Sequence, residues 1–407
     1  MNQKRLPVEE DTDNNEKFAN LSPEDTHSSL FSRRVIKEII FRLSILILVF
    51  SCLEFFTRIV GGRPFPNIPY ADSDYEVEWE LKKNYDNDSW LVRPNPDGSR
   101  TPIRIKTNSY GLRGGNFPIQ KPQDEFRIIF LGDSVVFGFL LNENETLPVK
   151  LEKRLEELFA AKKIRVLNAG VDGYTTFQEY YFLKRRGITV SPDLVLLGFV
   201  LNDVFESHIV TKAKGGSGNY CGLAGKKSFV RSFLRFASHS AIFTQTFFRY
   251  IEIKNRKIIE KRKKEDVHYR SIGEIYDTAR LFDEPVSSEI EKAWQDAEND
   301  LVTLKKFTDE KNIPLIIIVF PFAGQVIDKV WSFKPQERLS AFCSKYEIPF
   351  LDLSKAFMDY PEPINLYLLK DGSHLSPEGT DYIGKMITGF LKNYIHPPSP
   401  NLSKSDN

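Results

Sequence analysis

The stretch Arg127-Ile-Ile-Phe-Leu-Gly-Asp-Ser134 decides how this chain is read. Arg127–Leu131 has the length and the β-branched and aromatic content of a strand, and it runs straight into Gly132-Asp133-Ser134. Far downstream stands Asp371-Gly-Ser-His374. The two pieces together supply a hydroxyl nucleophile, a base and a carboxylate, the three parts of serine hydrolysis. A serine hydroxyl is a poor nucleophile at neutral pH; it becomes useful when an imidazole accepts its proton and a carboxylate fixes the imidazole tautomer. The spacing of Asp371 and His374 puts both partners within one turn of backbone, so the base arrives already oriented.

Outward from this stretch the chain alternates. Apolar runs at Arg127–Leu131, Arg165–Ala169, Leu194–Val200, Leu315–Phe320 and Pro349–Leu353 read as strands. Between them lie helical periods. Leu147, Leu151, Leu155 and Leu158 share one face, with Thr146 as N-cap and Pro148 in the first turn. Ile290, Trp294, Ala297, Leu301 and Leu304 form a second stripe. Tyr382, Ile383, Met386, Ile387, Phe390 and Leu391 form a third, begun by Ser376 and Pro377. Continuous apolar strands alternating with helices predict an α/β fold, a parallel sheet covered on both faces in a three-layer α/β/α sandwich.

At 407 residues the chain exceeds an average domain, and an apolar fraction of 41% is enough for one large core with appendages. The net charge of +1 gives no pull toward nucleic acid, and no groove-reading element is present. Cys52, Cys221 and Cys343 are too few and too scattered for a disulfide framework or a metal cluster; Cys343, in a helical pattern with Leu339 and Tyr346, reads as core. His27, His208, His239, His268 and His396 show no ligand pattern, so no metal and no cofactor is expected.

The N-terminus divides into a polar tail, 1–32, and an apolar segment, 36–60. The uncharged core Leu43–Leu53 is 11 residues, short of the ~20 that cross a bilayer. Extension over Ile39–Val60 reaches that length but admits Arg42, Glu54 and Arg58. Arginines near the ends can snorkel; Glu54 is the costly one. Arg33, Arg34, Lys37 and Arg42 precede the core Leu43–Leu53, so a single-pass anchor would leave the tail cytoplasmic and the remainder outside. A cleaved signal lacks a small-x-small site here, and a lipoprotein acylated on Cys52 sits poorly with apolar Leu53-Glu-Phe-Phe56 continuing past it. A soluble amphipathic helix is a further reading.

Residues 61–124, rich in Pro, Gly, Asn and Asp, predict a loop-rich prelude with short strands such as Tyr75–Leu81, and a turn cluster at Asn108-Ser-Tyr-Gly-Leu-Arg-Gly114 packed close to the main domain. A main domain follows over 125–395, interrupted at 204–285 by a helical insertion, and 396–407 reads as a second disordered tail. The insertion carries the aromatic stretch Phe243–Tyr250 and a basic run, Lys254–Lys264. A solvated charged face accounts for that run; a lid touching anionic lipid is the functional alternative.

In open parallel sheets the working crevice lies outside the C-terminal strand ends. Ser134 follows the first strand, Asn168-Ala-Gly-Val-Asp-Gly173 the second, and Asn202-Asp203 the third. Ser134 N–H, a glycine N–H and the Asn202 amide would make an oxyanion hole.

These residues bring the chain into resemblance with the SGNH/GDSL hydrolases, named for Ser, Gly, Asn and His in four separated blocks. Gly132-Asp133-Ser134 matches the nucleophile block, Gly173 the oxyanion glycine (with Gly170 as the structural glycine nearby), Asn202 the third block, and Asp371 with His374 the last. The layout, an N-terminal anchor and a prelude before the domain, is similar to membrane-tethered bacterial members. The resemblance spans roughly Phe126 to Tyr394 without the insertion. It implies a flavodoxin-like sheet and metal-free hydrolysis of O-acyl or thioester bonds. Ser134, His374 and Asp371 would be catalytic, and Ser134, Gly173 and Asn202 would form the oxyanion hole. The substrate would be an acylated small molecule, lipid or glycan. The family commonly carries glycine two residues before the asparagine; this chain has Val200, whose bulk would narrow the crevice or shift the Asn202 donor. An O-acyltransferase of envelope glycans would use the same groups, and a non-catalytic envelope protein binding glycan or lipid is the alternative of another class.

Overall fold

The computed structural model describes residues 24–59, 69–160, 163–204 and 280–395, apart from 74–76, 78, 283 and 370, together with 240–243, 246 and 249. Most of the predicted insertion lies outside the described residues, including Cys221, His208, His239, His268 and the basic run Lys254–Lys264. So do the ends of both tails, with His396. The chain separates into two compact units: residues up to Phe65 with Phe236–Phe247, and the remainder.

The first unit is built on helix α1, Glu24–Ile59, which begins inside the stretch read from sequence as a tail. Its portion Arg34–Ile59, 26 residues, is long and apolar enough to cross a membrane.

The second unit opens with two antiparallel strand pairs, β1 (Tyr70–Asp72) with β2 (Trp79–Leu81) and β3 (Asp86–Pro94) with β4 (Arg100–Lys106). A parallel five-stranded sheet follows: β5 (Glu125–Gly132), β6 (Lys163–Gly170), β7 (Leu194–Val200), β8 (Leu315–Phe320) and β9 (Phe350–Asp352), in the order β6-β5-β7-β8-β9. Every residue of β5, β7 and β8 is buried, as expected for strands covered on both faces. The five predicted strands are these five, and the order is the flavodoxin-like one.

Crossovers between parallel strands are right-handed. From β5 the chain steps through α3 (Leu147–Leu158) to β6 at the edge, then through α4 (Thr176–Arg185) back over β5 to β7. The two steps run in opposite directions, which puts α3 and α4 on opposite faces. Helix α3 packs against α9 (Pro377–Leu391), and α4 against α5 (Ser288–Glu310). The connections leaving neighbouring strands β5 and β7 thus diverge, and the crevice opens between their C-terminal ends.

The stripe Ile290, Trp294, Ala297, Leu301 and Leu304 is buried along α5, and Ser376 Oγ accepts the Gly379 N–H as the N-cap of α9. Two details of α3 differ from expectation. Thr146 occupies the N-cap position but its hydroxyl donates to Glu143 O at 2.9 Å instead of capping, and Leu158, at the frayed end, is 49% exposed. Cys343, on α7 (Lys334–Lys345), is fully buried, and burial pushes its thiol up to about 12. Arg127 is also fully buried. Its guanidinium donates to Glu125 at 2.7 Å and to the carbonyls of Val190 and Pro118 at 2.7 and 2.9 Å, so the charge at the start of β5 is paired and its N–H groups are used.

Candidate active site

Glycine makes the first element of the site possible. Gly132 pairs in register with Gly170 on one side and Gly198 on the other, so three glycines lie abreast at the ends of β6, β5 and β7. A Cβ on Gly132 would sit 2.3 Å from Val136 Cγ2, one on Gly198 2.5 Å from the same atom, and one on Gly170 2.2 Å from Phe137 N. The absent side chains let the short helix α2, Ser134–Phe137, lie directly across the strand ends. Asp133 caps it, its carboxylate accepting the Val135 N–H at 2.9 Å. At the other end Gly138 takes φ +89, a left-handed cap where any Cβ would also strike Thr146 Cγ2 at 2.7 Å.

The prelude holds this turn from outside. Arg113 is buried and donates to Phe137 O and Gly138 O at 2.7 and 2.8 Å, and to Leu141 O, placing a cation on the last carbonyls of α2. Burial lowers the Arg113 guanidinium to about 10, still far above neutrality. The turn cluster containing it is closed by Asn108, whose side-chain oxygen accepts the N–H groups of Tyr110 and Leu112 at 3.0 Å.

His374 and Asp371 come from one tight loop before α9. Asp371 Oδ1 accepts the backbone N–H groups of Ser373 and His374, each at 2.9 Å, and Asp371 Oδ2 lies 2.7 Å from His374 Nδ1. The loop is tied to the end of β8, where Ala323 N–H donates to Gly372 O at 2.8 Å and Tyr367 O–H donates to Pro321 O at 2.9 Å. A carboxylate only accepts, so Nδ1 carries the hydrogen and Nε2 is left as the acceptor. Ser134 Oγ stands 2.8 Å from Nε2 and donates to it. The Phe139 ring leans on the imidazole with centroids 4.6 Å apart.

Charge around the imidazole is lopsided. Burial pulls His374 down, but the hydrogen bond and charge of Asp371, with Asp133 and Asp172 behind, outweigh it and raise the pKa above its ordinary value. Burial disfavours the Asp371 anion, yet hydrogen bonds from the His374 ring and backbone prevail and hold it at about 2. Asp133 and Asp172 are both raised by burial, against the opposing pull of His374.

Gly173 has φ +75, a conformation that glycine adopts without strain. Among the described residues neither Ser134 N–H nor Gly173 N–H has an acceptor. The loop before Gly173 is buttressed by the prelude: the Trp79 indole donates to Asp172 O at 3.3 Å and the Tyr70 hydroxyl to Asp172 Oδ2 at 3.5 Å. Asn202 Nδ2 donates to Asp133 Oδ2 at 3.3 Å; among the described residues its second N–H has no acceptor and its buried Oδ1 no partner. Val200 is buried in the sheet and its N–H donates to Asp203 Oδ2 at 3.1 Å, closing the turn on which Asn202 stands.

The structure therefore brings Ser134, His374 and Asp371 into one hydrogen-bonded line, with Gly173 and Asn202 following β6 and β7 at the same edge of the sheet. Sequence reasoning missed Phe139, Asp172, Tyr70 and Trp79 as neighbours of these groups. The only signal was proximity: Phe139 lies five residues past Ser134, and Asp172 directly precedes Gly173.

Solved structures of lipases, acylhydrolases and esterases are similar to this chain. A lipase/acylhydrolase from Enterococcus faecalis matches at 16% identity over 68% of this chain and 100% of its own, with a TM-score of 0.34. A GDSL-like lipase from Bacteroides thetaiotaomicron matches at 14% identity over 68% of this chain and 92% of its own, TM-score 0.35. An acetyl xylan esterase matches at 14% over 67% and 100%, TM-score 0.38. No family model and no curated protein matches the chain.

Proposed function

We propose that the protein is a serine esterase that cleaves O-acyl bonds through an acyl-enzyme. The observation that carries this reading is the unbroken line from Ser134 Oγ to His374 Nε2 at 2.8 Å and from His374 Nδ1 to Asp371 Oδ2 at 2.7 Å. Ser134 Oγ attacks the acyl carbon as its proton passes to Nε2. Asp371, ionised well below neutral pH, orients the ring and stabilises the imidazolium. His374 then returns the proton to the leaving alcohol, and water repeats the cycle on the acyl-enzyme. The oxyanion is held by the free N–H groups of Ser134 and Gly173 and by the second N–H of Asn202, whose amide is steadied by Asp133. No metal or cofactor enters this mechanism.

The apolar segment Arg34–Ile59 fits a membrane anchor, and the basic residues that precede Leu43 favour a cytoplasmic N-terminus with the esterase domain on the outer side. Labelling with a fluorophosphonate probe tests the chemistry. Wild type is expected to label and Ser134→Ala to remain unlabelled while keeping its circular dichroism spectrum; equal labelling of both overturns the assignment.

A further inference from the structure

A glutamate inside an apolar helix needs an explanation. Along Arg34–Ile59 only Glu54 and Thr57 are not exposed, and three residues apart they share one face. The Thr57 hydroxyl turns back to Leu53 O at 2.8 Å. The Glu54 carboxylate is filled from a part of the chain nearly two hundred residues away. Ala241 N–H donates to Oε1 at 2.8 Å, Ile242 N–H to Oε2 at 3.2 Å, and Ser240 Oγ to Oε2 at 2.8 Å; Arg58 Nε donates to Oε1 at 2.8 Å. Ala241 is fully buried. Backbone at 241–243 is helical, and Ser240 Oγ also accepts the Phe243 N–H at 3.2 Å. Glu54 thus takes the free N–H groups at the start of a second helical turn.

Depth gives this contact its meaning. A helix of 26 residues is about 39 Å long at ~1.5 Å per residue, against a hydrocarbon core of ~30 Å, so each end overhangs by roughly 4–5 Å. Glu54 lies five residues before Ile59, ~7–8 Å from that end, and so about 3 Å below the hydrocarbon edge. An unpaired carboxylate is costly there, and so are the unpaired N–H groups of a helix start. Each satisfies the other, and the positive end of the second helical turn faces the negative charge.

We infer that Ser240–Phe243 enters the lipid leaflet at the C-terminal end of the anchor, docked on it through Glu54, and that its apolar partner is lipid acyl chain. This rests on the reading of Arg34–Ile59 as a membrane anchor. The contact would make residues 240–243 a second point of membrane attachment and account for a carboxylate that the anchor alone would not tolerate.

The test is spin-label depth in the full chain, reconstituted in phosphatidylethanolamine/phosphatidylglycerol liposomes with Cys52, Cys221 and Cys343 replaced by alanine. Single labels at Ile242→Cys, Phe243→Cys, Leu46→Cys and Ile364→Cys are compared for collision with oxygen and with a water-soluble nickel chelate. Labels at 242 and 243 are expected to favour oxygen, as Leu46 does, while Ile364 favours nickel. Glu54→Gln is expected to abolish the oxygen preference at 242 and 243 and leave Leu46 unchanged. Nickel-accessible labels at 242 and 243 beside an oxygen-accessible Leu46 overturn the inference alone. A nickel-accessible Leu46 overturns the anchor and the inference with it. Depth at 242 that is unaltered by Glu54→Gln overturns the docking role of Glu54.

Discussion

The steps from Ser134 to His374 and from His374 to Asp371 stand at 2.8 and 2.7 Å, whereas the Asn202 amide is turned to Asp133 at a looser 3.3 Å. The two halves of the site differ in how they are built. The relay is nearly local: Asp371 and His374 share a four-residue loop whose own backbone N–H groups fix the carboxylate, and a single long-range contact joins it to Ser134. The proposed oxyanion side draws on the ends of β5, β6 and β7, and on prelude residues Tyr70 and Trp79 that buttress Asp172. A relay can be complete before substrate binds, because its atoms satisfy one another. Oxyanion donors cannot, since their acceptor is formed only in the reaction.

This contrast can be broken by mutation, and the relay should break hardest. Ser134→Ala and His374→Ala are each expected to lower kcat by about 10⁴-fold or more, and the double variant no further, because the groups act as a unit. A double variant much worse than either single, in steady-state ester hydrolysis, would mean that the two do not share one step. Asp371→Asn should cost roughly 10³–10⁴-fold in kcat through loss of the tautomer and of imidazolium stabilisation. It should also move the acid limb of the pH–rate profile. His374 must be neutral to accept the proton, so activity rises as pH passes up through its raised pKa. Removing the Asp371 charge lowers that pKa and carries the limb to lower pH.

On the oxyanion side the losses should be smaller and of another kind. Asn202→Ala is expected to reduce kcat by about 10²–10³-fold with KM little changed, since the interaction is made only in the transition state. A loss of melting temperature with kcat retained would instead make Asn202 a partner of Asp133 only. Asp133→Asn keeps an oxygen for the Val135 N–H but removes a negative charge that supports the imidazolium. Its expected effect is about tenfold in kcat with a small downward movement of the acid limb, the least of the series.

The same contrast governs what was legible in the sequence. Strands β5, β7 and β8 announce themselves because parallel strands covered on both faces are largely apolar, and the DxxH turn because its partners are three residues apart. The need for Gly198, which leaves room for Val136 of α2, is visible only once β5 and β7 are placed in register. Arg113 sat in a turn cluster recognised as packing near the main domain, yet its target, the carbonyls that end α2, depends on tertiary placement. The orientation of Asn202 toward Asp133 and the Phe139 ring on His374 are side-chain directions set by packing, and no periodicity encodes them.

The central claim is that Ser134 carries the acyl group between the two halves of the reaction. The most direct measurement is rapid acid quenching after mixing with an activated p-nitrophenyl ester, followed by mass analysis of the peptide containing Ser134. The account predicts an acyl adduct on Ser134 that builds with the release of nitrophenol and decays with turnover, and none on Ser134→Ala. Turnover at full rate with no adduct on Ser134, or turnover unchanged in Ser134→Ala, would contradict it.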